Sequence, residues 1–171
     1  KPIRRVIIAG GGNIGYRLAR AIESSVNVKL IERDRQRAEY LASALTRALV
    51  LRGDSTDEAL LDSESIEETD MFLSLTNDDE DNIMSSSLAK QMGARRTLAL
   101  INRKSYVDLV QGGRIDIAIS PAQTSIGQLL ARVRRGDVAA VHSLRRGAAE
   151  ALEVVAHGDA KHCKVIGRKI E

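Results

Sequence analysis

The sequence predicts an α/β fold: a Rossmann-like, doubly wound parallel sheet of about six strands, followed by an amphipathic helix and a β-hairpin. Three observations predict it. Short apolar runs alternate with helix-length segments through the first 120 residues, which is typical of parallel β-α-β units. A glycine-rich turn follows the first apolar run directly, and an acidic residue, Glu32, ends the second.

The first β-α-β unit carries a candidate phosphate-binding turn. A strand is predicted over residues 3–9, and the next segment places Ile14, Leu18 and Ile22 on one helix face. The glycines between them fit G-x-G-x-x-G, where the first permits a tight turn, the second lets backbone approach a pyrophosphate, and the third lets helix and strand pack closely. The alternative is an ordinary glycine turn without a ligand. We expect nucleotide contacts from the whole segment, Gly10, Gly11, Gly12, Asn13, Ile14 and Gly15.

The second strand, residues 28–31, ends in Glu32, which lies 17 positions after Gly15. A carboxylate at this point can accept hydrogen bonds from an adenosine ribose, and it would repel the 2′-phosphate of NADP. The side chain that follows, Arg33, would lie near the adenosine, where it can stack on adenine or remain on the surface.

The later segments continue the alternation. A second helix is predicted with Ala38, Leu41, Ala42 and Leu45 on one face, and a short third helix opens on a capping box of Ser55 and Glu58. Apolar runs such as residues 6–9 and 48–51 predict strands covered on both faces. Strands are predicted over residues 48–51, 71–75, 97–101 and 115–119, and helices over residues 78–92, ended by Gly93, and 104–110.

Polar residues follow strands three, four and five, where the ligand crevice of such a sheet lies. Asp54 can hydrogen-bond an adenine amino group or cap a helix, and Thr76 can offer its hydroxyl to a ligand or cap the next helix. Arg103 can pair with a phosphate or remain a solvated surface arginine. The predicted contacts at these strand ends are Asp54, Ser55, Thr76, Asn77 and Arg103.

Catalytic machinery is missing from the predicted crevice. The three histidines, His142, His157 and His162, all follow the sixth strand, and Tyr106 has no lysine four positions later. We therefore expect no enzyme and no metal site. The acids of residues 78–81 complement a helix dipole, with a cation site as the alternative. Two other interpretations stay open: an NAD-dependent oxidoreductase fragment lacking its substrate domain, and an oligomerisation module with a degenerate pocket.

The pattern changes after residue 121. An amphipathic stripe of Ile126, Leu129, Leu130 and Val133 predicts a helix, and a β-hairpin is predicted over residues 137–156 with its turn at 145–147. The expected divisions of the chain are residues 1–121, 122–136 and 137–171. The basic excess lies in this tail, but aromatic residues make up only 2% of the chain, so nucleic acid is not expected.

The motifs resemble those of RCK domains, the regulators of potassium conductance, also called KTN domains. The similarity covers residues 3 to about 136 and rests on five segments in order: residues 10–15, 32–34, 53–56, 75–82 and 119–121. The resemblance implies a domain that binds NAD(H), or alternatively ATP or ADP. Asn13 replaces the arginine that some relatives have there, which favours NAD(H). By the same resemblance, residues 122–136 form a crossover and dimerisation helix whose stripe packs on a partner, with packing on the domain's own sheet as the alternative. Residues 137–171 would then hold the hairpin and the truncated start of a small C-terminal α+β lobe.

The resemblance also implies an assembly. Such domains form homo-dimers and larger rings beneath a membrane potassium-translocating subunit, so we expect a cytoplasmic protein at the inner face of the membrane that senses nucleotides and gates potassium uptake. The single cysteine, Cys163, suits that compartment. The arginine-rich sequence and a first residue other than methionine favour the second of two tandem RCK halves.

Overall fold

The computed structural model describes residues 2–110, 113–133, 138–144 and 149–154. The chain forms two compact units, residues 1–121 and 122–171. The first contains a six-stranded parallel sheet in the order β3-β2-β1-β4-β5-β6, which confirms the predicted doubly wound Rossmann-like fold. Its strands are β1 (Arg5–Ala9), β2 (Asn27–Glu32), β3 (Leu49–Arg52), β4 (Met71–Ser74), β5 (Thr97–Leu100) and β6 (Ile117–Ile119).

Five α-helices connect the strands of this unit. They are α1 (Asn13–Ile22), α2 (Arg35–Ala44), α3 (Glu58–Ser63), α4 (Asp79–Gln91) and α5 (Lys104–Val110), with one 3-10 turn at Ile66–Glu68. The chain winds outward from β1 to β3 and then crosses back to β4 on the other side of β1. That reversal opens a crevice at the carboxyl ends of β1 and β4.

Apolar side chains cover both faces of the central strands. Ile8 of β1 packs in a cluster with Leu30 and Leu41, while its neighbour Ile7 packs in a second cluster with Phe72. Successive strand residues point to opposite faces, so the two clusters form two layers. The prediction that residues 6–9 are covered on both faces is confirmed.

The same prediction is only partly right for residues 48–51, and two helix positions are also corrected. Val50 and Leu51 pack against the two clusters, one on each face. Among the described strands, however, β3 is an edge strand that pairs with β2 alone, and Leu49 remains 51% exposed. Ile14 is 46% exposed because α1 approaches the sheet through the small residues Gly15 and Ala19. Ala42 is exposed as well.

The helix starts differ from the predicted caps. The N-cap of α3 is Asp57, whose carboxylate accepts the backbone N–H of Ala59 at 2.9 Å, so the predicted capping box is wrong. Asp78 caps α4 in the same way. In both helices the N-cap is an aspartate that lies two residues after the hydroxyl residue expected to cap it. Gly93, at φ +108°, ends α4 as predicted.

The second unit contains α6 (Pro121–Val133) and an antiparallel hairpin of β7 (Val138–Leu144) and β8 (Ala149–Val154). The predicted hairpin is confirmed, with both strands inside the predicted range of residues 137–156. Its predicted turn and residues 155–171 lie outside the described residues, and the domain limits stay a prediction. In the part of the chain that the structure describes, no helix has the length and apolar character needed to span a bilayer.

A buried carboxylate makes the stability of the fold pH-dependent. Glu23, at the end of α1, accepts the backbone N–H groups of Arg47, Ala48 and Thr46, which lower the pKa of Glu23. A carboxyl whose folded pKa is lowered stabilises the fold above its unfolded pKa and loses that contribution as pH falls through the folded pKa. We therefore expect the urea midpoint to fall steadily below about pH 4.

The matched variant is Glu23→Gln. It keeps one acceptor oxygen and cannot ionise, so it is expected to be less stable than wild type at pH 7 and to show a shallower loss between pH 5 and 3. Parallel pH curves for the two proteins would contradict this role of Glu23.

Candidate nucleotide-binding crevice

A cavity of about 330 Å³ opens at the carboxyl ends of the strands around β1. It lies at the reversal of strand order, where a sheet of this kind accepts ligands. Eight of the predicted contact residues line it, together with four that were not predicted. The first group is Gly10, Gly12, Glu32, Arg33, Asp54, Ser55, Thr76 and Asn77, and the second is Ile31, Gly53, Leu75 and Asp81.

The glycine turn presents open backbone to this cavity. Gly10 has φ +99°, and its N–H donates to the carbonyl of Ile31 at 2.9 Å. A Cβ at Gly12 would meet no atom within 4 Å, so the space over this residue is free. Because α1 begins at Asn13, its first N–H groups have no partner within the helix and attract an anion beside that space.

Gly11 and Gly15 do not line the cavity, and each holds the turn in place. A Cβ at Gly15 would lie 1.9 Å from the carbonyl oxygen of Gly10, and one at Gly11 would lie 2.2 Å from Cδ1 of Leu41. The third glycine was predicted to allow close packing of helix and strand. In the structure, the close approach at Gly15 is to the backbone of Gly10 in the glycine turn. Asn13 and Ile14 are exposed in the first turn of α1, outside the cavity lining.

Glu32 ties the end of β2 to the glycine turn. Its Oε2 accepts the N–H of Gly11 at 2.8 Å, and its Oε1 accepts the N–H of Asp34 at 2.9 Å. A carboxylate offers about four lone-pair sites, so two backbone donors leave room for a ribose hydroxyl. The residue thus fixes the turn and keeps acceptor capacity toward the cavity.

Asp54 lies in a turn of its own and caps no helix. Its Oδ1 accepts the N–H and the hydroxyl of Thr56 at 2.9 and 2.8 Å, and these bonds lower the pKa of Asp54. The other oxygen lies 3.6 Å from Nη1 of Arg33. Asp54 therefore presents an ionised acceptor at the cavity, which fits the predicted contact with an amino group.

The loop that carries Thr76 is held by a buried amide. Oδ1 of Asn82 accepts the N–H of Thr76 at 2.9 Å and its hydroxyl at 2.7 Å, while Nδ2 donates to the carbonyls of Thr76 and Leu100 at 3.1 and 2.8 Å. The hydroxyl proton of Thr76 is thus committed inside the protein, so toward a ligand this hydroxyl offers acceptor capacity. Asn82 is fully buried.

Arg103 is not brought to the cavity. Its guanidinium lies 2.9 Å from Oε1 of Glu80 and 2.9 Å from the hydroxyl of Tyr106, and it packs over the Tyr106 ring. Its backbone N–H, like that of Asn102, donates to the carboxylate of Asp79. The predicted phosphate contact of Arg103 therefore has no support in this geometry, because acids of α4 already pair with it.

The acids at the start of α4 are occupied by protein partners. Asp78 caps the helix, Asp79 and Glu80 contact the segment after β5, and Asp81 contacts Arg33 at 2.9 Å. Among the described residues, no group of three or more histidine, cysteine or acidic side chains is placed to hold a metal ion.

The fold and the crevice define a class: a Rossmann-type domain with an open glycine turn and an acidic residue at the end of its second strand. A model of the TrkA-N domain matches residues 6–121. The chain belongs to the TrkA-N domain family, and the predicted resemblance to RCK domains is confirmed. That it is the second of two tandem halves stays a prediction.

Several proteins named Trk system potassium uptake protein TrkA are similar to almost the whole chain. The protein from Halomonas elongata is 59% identical over 170 residues, and those from Vibrio alginolyticus and Haemophilus influenzae are 57% and 53% identical. Each match covers 99% of this chain and 37% of the relative. The chain thus spans little more than a third of these proteins.

Solved structures with low sequence identity share the fold. The TrkA-N domain of the inner membrane protein ybaL from Escherichia coli superposes with a TM-score of 0.69 at 12% identity, over 78% of this chain and 99% of that one. The GsuK channel bound to NAD superposes with a TM-score of 0.66 at 16% identity, over 84% of this chain and 26% of that one. GsuK bound to ADP gives 0.62 at 23% identity, over 76% and 33%.

Proposed function

We propose that this chain is a nucleotide-sensing regulatory domain of a potassium-uptake transporter. The observation that carries the proposal is the joint presence, in one cavity, of the open backbone at Gly12 and the carboxylate of Glu32. Backbone N–H groups at a helix start suit a pyrophosphate, and the acid suits a ribose. The relatives that are named as potassium-uptake proteins support the physiological role.

The preferred ligand is NAD(H), with ATP or ADP as the alternative. Both kinds of nucleotide occur in GsuK structures that share this fold. Glu32 disfavours a 2′-phosphate, and Asn13 at the start of α1 adds no positive charge for a terminal phosphate. Asp54, which follows β3, is the expected contact of an adenine amino group, and Thr76 and Asn77, after β4, are expected to contact the nucleotide as well.

Regulation follows from differential affinity. A nucleotide that binds one geometry of an oligomer more tightly shifts the population toward it, and a membrane potassium-translocating subunit would respond to that geometry. The exposed apolar residues Ile126 and Leu129 of α6 support a role of this helix in assembly. The proposal places the chain at the cytoplasmic face of the membrane as a homo-oligomer.

Catalysis is no part of the proposal. The residues that line the cavity include no histidine, tyrosine, lysine or cysteine, which are the usual proton donors beside a nicotinamide. A regulatory ligand fits this lining better than a substrate does.

The test is Gly12→Val, measured by calorimetry with NADH and with ADP. The Cβ of the new side chain would meet no protein atom within 4 Å, and the side chain would occupy space beside the start of α1. Nucleotide affinity is expected to fall at least about tenfold, while the free energy of unfolding changes by about 1 kcal/mol, the usual scale for an N-cap substitution.

Wild-type protein that binds neither nucleotide at millimolar concentration would sink the proposal and favour a bare oligomerisation module. Unchanged affinity in Gly12→Val would remove the glycine turn from the binding site. Turnover of carbonyl substrates with NADH would restore the oxidoreductase interpretation.

A further inference from the structure

Arg33 contacts carboxylates on two other segments of the chain. Its Nη2 lies 2.9 Å from Oδ2 of Asp81 in the first turn of α4, and its Nη1 lies 3.6 Å from Oδ2 of Asp54 after β3. We call these two contacts the Arg33 bridge. All three residues line the cavity, so the bridge borders the space that the proposed ligand would occupy.

The strand order shows what the Arg33 bridge crosses. Arg33 follows β2, and Asp81 lies on the helix that follows β4, while β1 and its glycine turn lie between those two strands. The contact from Arg33 to Asp81 therefore passes over the carboxyl end of β1, from one side of the crevice to the other. A nucleotide seated on the turn between Gly10 and Gly12 would lie alongside it.

The charges indicate which end of a nucleotide the bridge meets. Glu32, Asp54 and Asp81 bring three carboxylates to the cavity against the one guanidinium of Arg33. Phosphates are repelled from that side and attracted to the start of α1. The bridge thus belongs to the adenosine end, where a guanidinium can stack on the base.

We propose that Asp81 is a positioning residue of the nucleotide site, which holds the guanidinium of Arg33 across the adenosine end of the crevice. The inference rests on the proposed function. Without Asp81, the side chain of Arg33, which is 68% exposed, keeps only the longer contact to Asp54. Ordering Arg33 before the ligand arrives lowers the cost of binding, and a ligand that excludes water strengthens the ion pair in return.

The sign of the effect separates positioning from simple electrostatics. By electrostatics alone, removing the negative charge of Asp81 would tighten the binding of an anionic nucleotide. Losing the Arg33 bridge would instead weaken the binding of the nucleotide. Because exposed ion pairs contribute little each, we expect Asp81→Asn to raise the dissociation constant of NADH about two- to fivefold.

The experiment is a double-mutant cycle on the chain, with NADH affinity and dissociation rate as readouts. Asp81→Asn and Arg33→Gln are each expected to weaken binding, and the double variant is expected to bind no more weakly than Arg33→Gln alone. Asp81→Glu should restore part of the affinity. Glu39→Gln is the matched control, since it breaks an exposed pair with Arg35 away from the cavity and should leave NADH affinity unchanged.

Tighter or unchanged binding in Asp81→Asn would overturn the inference, and so would a loss of equal size in the Arg33→Gln background. Nearly equal melting temperatures across the series are expected, because each substituted side chain is at least 38% exposed and its ion pair contributes little to stability. These outcomes can be told apart from a failure of the proposed function, in which the wild-type protein itself would bind neither NADH nor ADP.

Discussion

Gly15→Ala is expected to lower the free energy of unfolding by about 3 kcal/mol, at the upper end of the usual cost of overpacking. An alanine in the interior of a helix normally stabilises it relative to glycine by about 0.5–1 kcal/mol, so the expected sign is reversed. The reason is contact: the new Cβ would lie 1.9 Å from the carbonyl oxygen of Gly10, which is backbone and cannot rotate away. The glycine turn or α1 must shift, and nucleotide affinity falls with it.

Urea unfolding at pH 7 measures the change in Gly15→Ala, with Gly12→Ala as its matched control. The two variants add the same methyl group to the same motif, but a Cβ at Gly12 meets no protein atom within 4 Å. The control is expected to cost about 1 kcal/mol or less. Equal midpoints for the two variants would contradict the close approach at Gly15.

Asn82→Ala is the second substitution with a large expected effect, about 4 kcal/mol, because several buried polar groups lose their partner at once. The hydroxyl of Ser74 and the carbonyl of Leu100 would lose a partner in the buried interior. The half-buried N–H and carbonyl of Thr76 would lose theirs at the edge of the cavity. The loop at Thr76 would lose its fixed position, so nucleotide affinity is expected to fall as well. The midpoint of urea unfolding, at an unchanged slope, measures the loss.

Two comparisons test the interpretation of Asn82. Asn82→Asp keeps an acceptor for Thr76 but turns a second carboxylate oxygen toward the two carbonyls, so it is expected to be at least as harmful at pH 7. Ser86→Ala removes a buried hydroxyl with one bond, to the carbonyl of Leu98 at 3.2 Å, and should cost about 1 kcal/mol. If Asn82→Ala were as mild as Ser86→Ala, the network would not hold the loop.

Local pattern was enough to predict the sheet and two thirds of the residues that line the crevice. The glycine spacing, the apolar runs and the position of Glu32 are short-range signals, and parallel strands bring their carboxyl ends to one edge. Burial at Ile14 and Leu49 was misjudged because it depends on which side of an element has a neighbour. Which side of a strand or helix has a neighbour depends on the order of the strands in the sheet, and a short-range pattern does not contain that order.

Contacts between residues far apart in the chain explain where the structure of the site differs from the prediction. Arg103 was expected at a phosphate, but Glu80, 23 positions earlier in the chain, takes its guanidinium. In the sequence-based prediction, Asn82 appears only as the last residue of the segment 75–82. Its spacing to Ser85, Ser86 and Ala89 is that of one helix face, and all four are buried, so periodicity of small polar residues would have revealed it.

The first turn of α4 has a consequence for the evolution of chain length. Side chains close together there contact different parts of the domain. Asp79 contacts the segment after β5, Asp81 contacts the segment after β2, and Asn82 contacts the loop after β4. Each residue of an α-helix is rotated by about 100° from the one before. One inserted or deleted residue would turn all of these groups away together. A substitution here changes one contact at a time, whereas a change in the number of residues between β4 and α4 would disrupt all of them together.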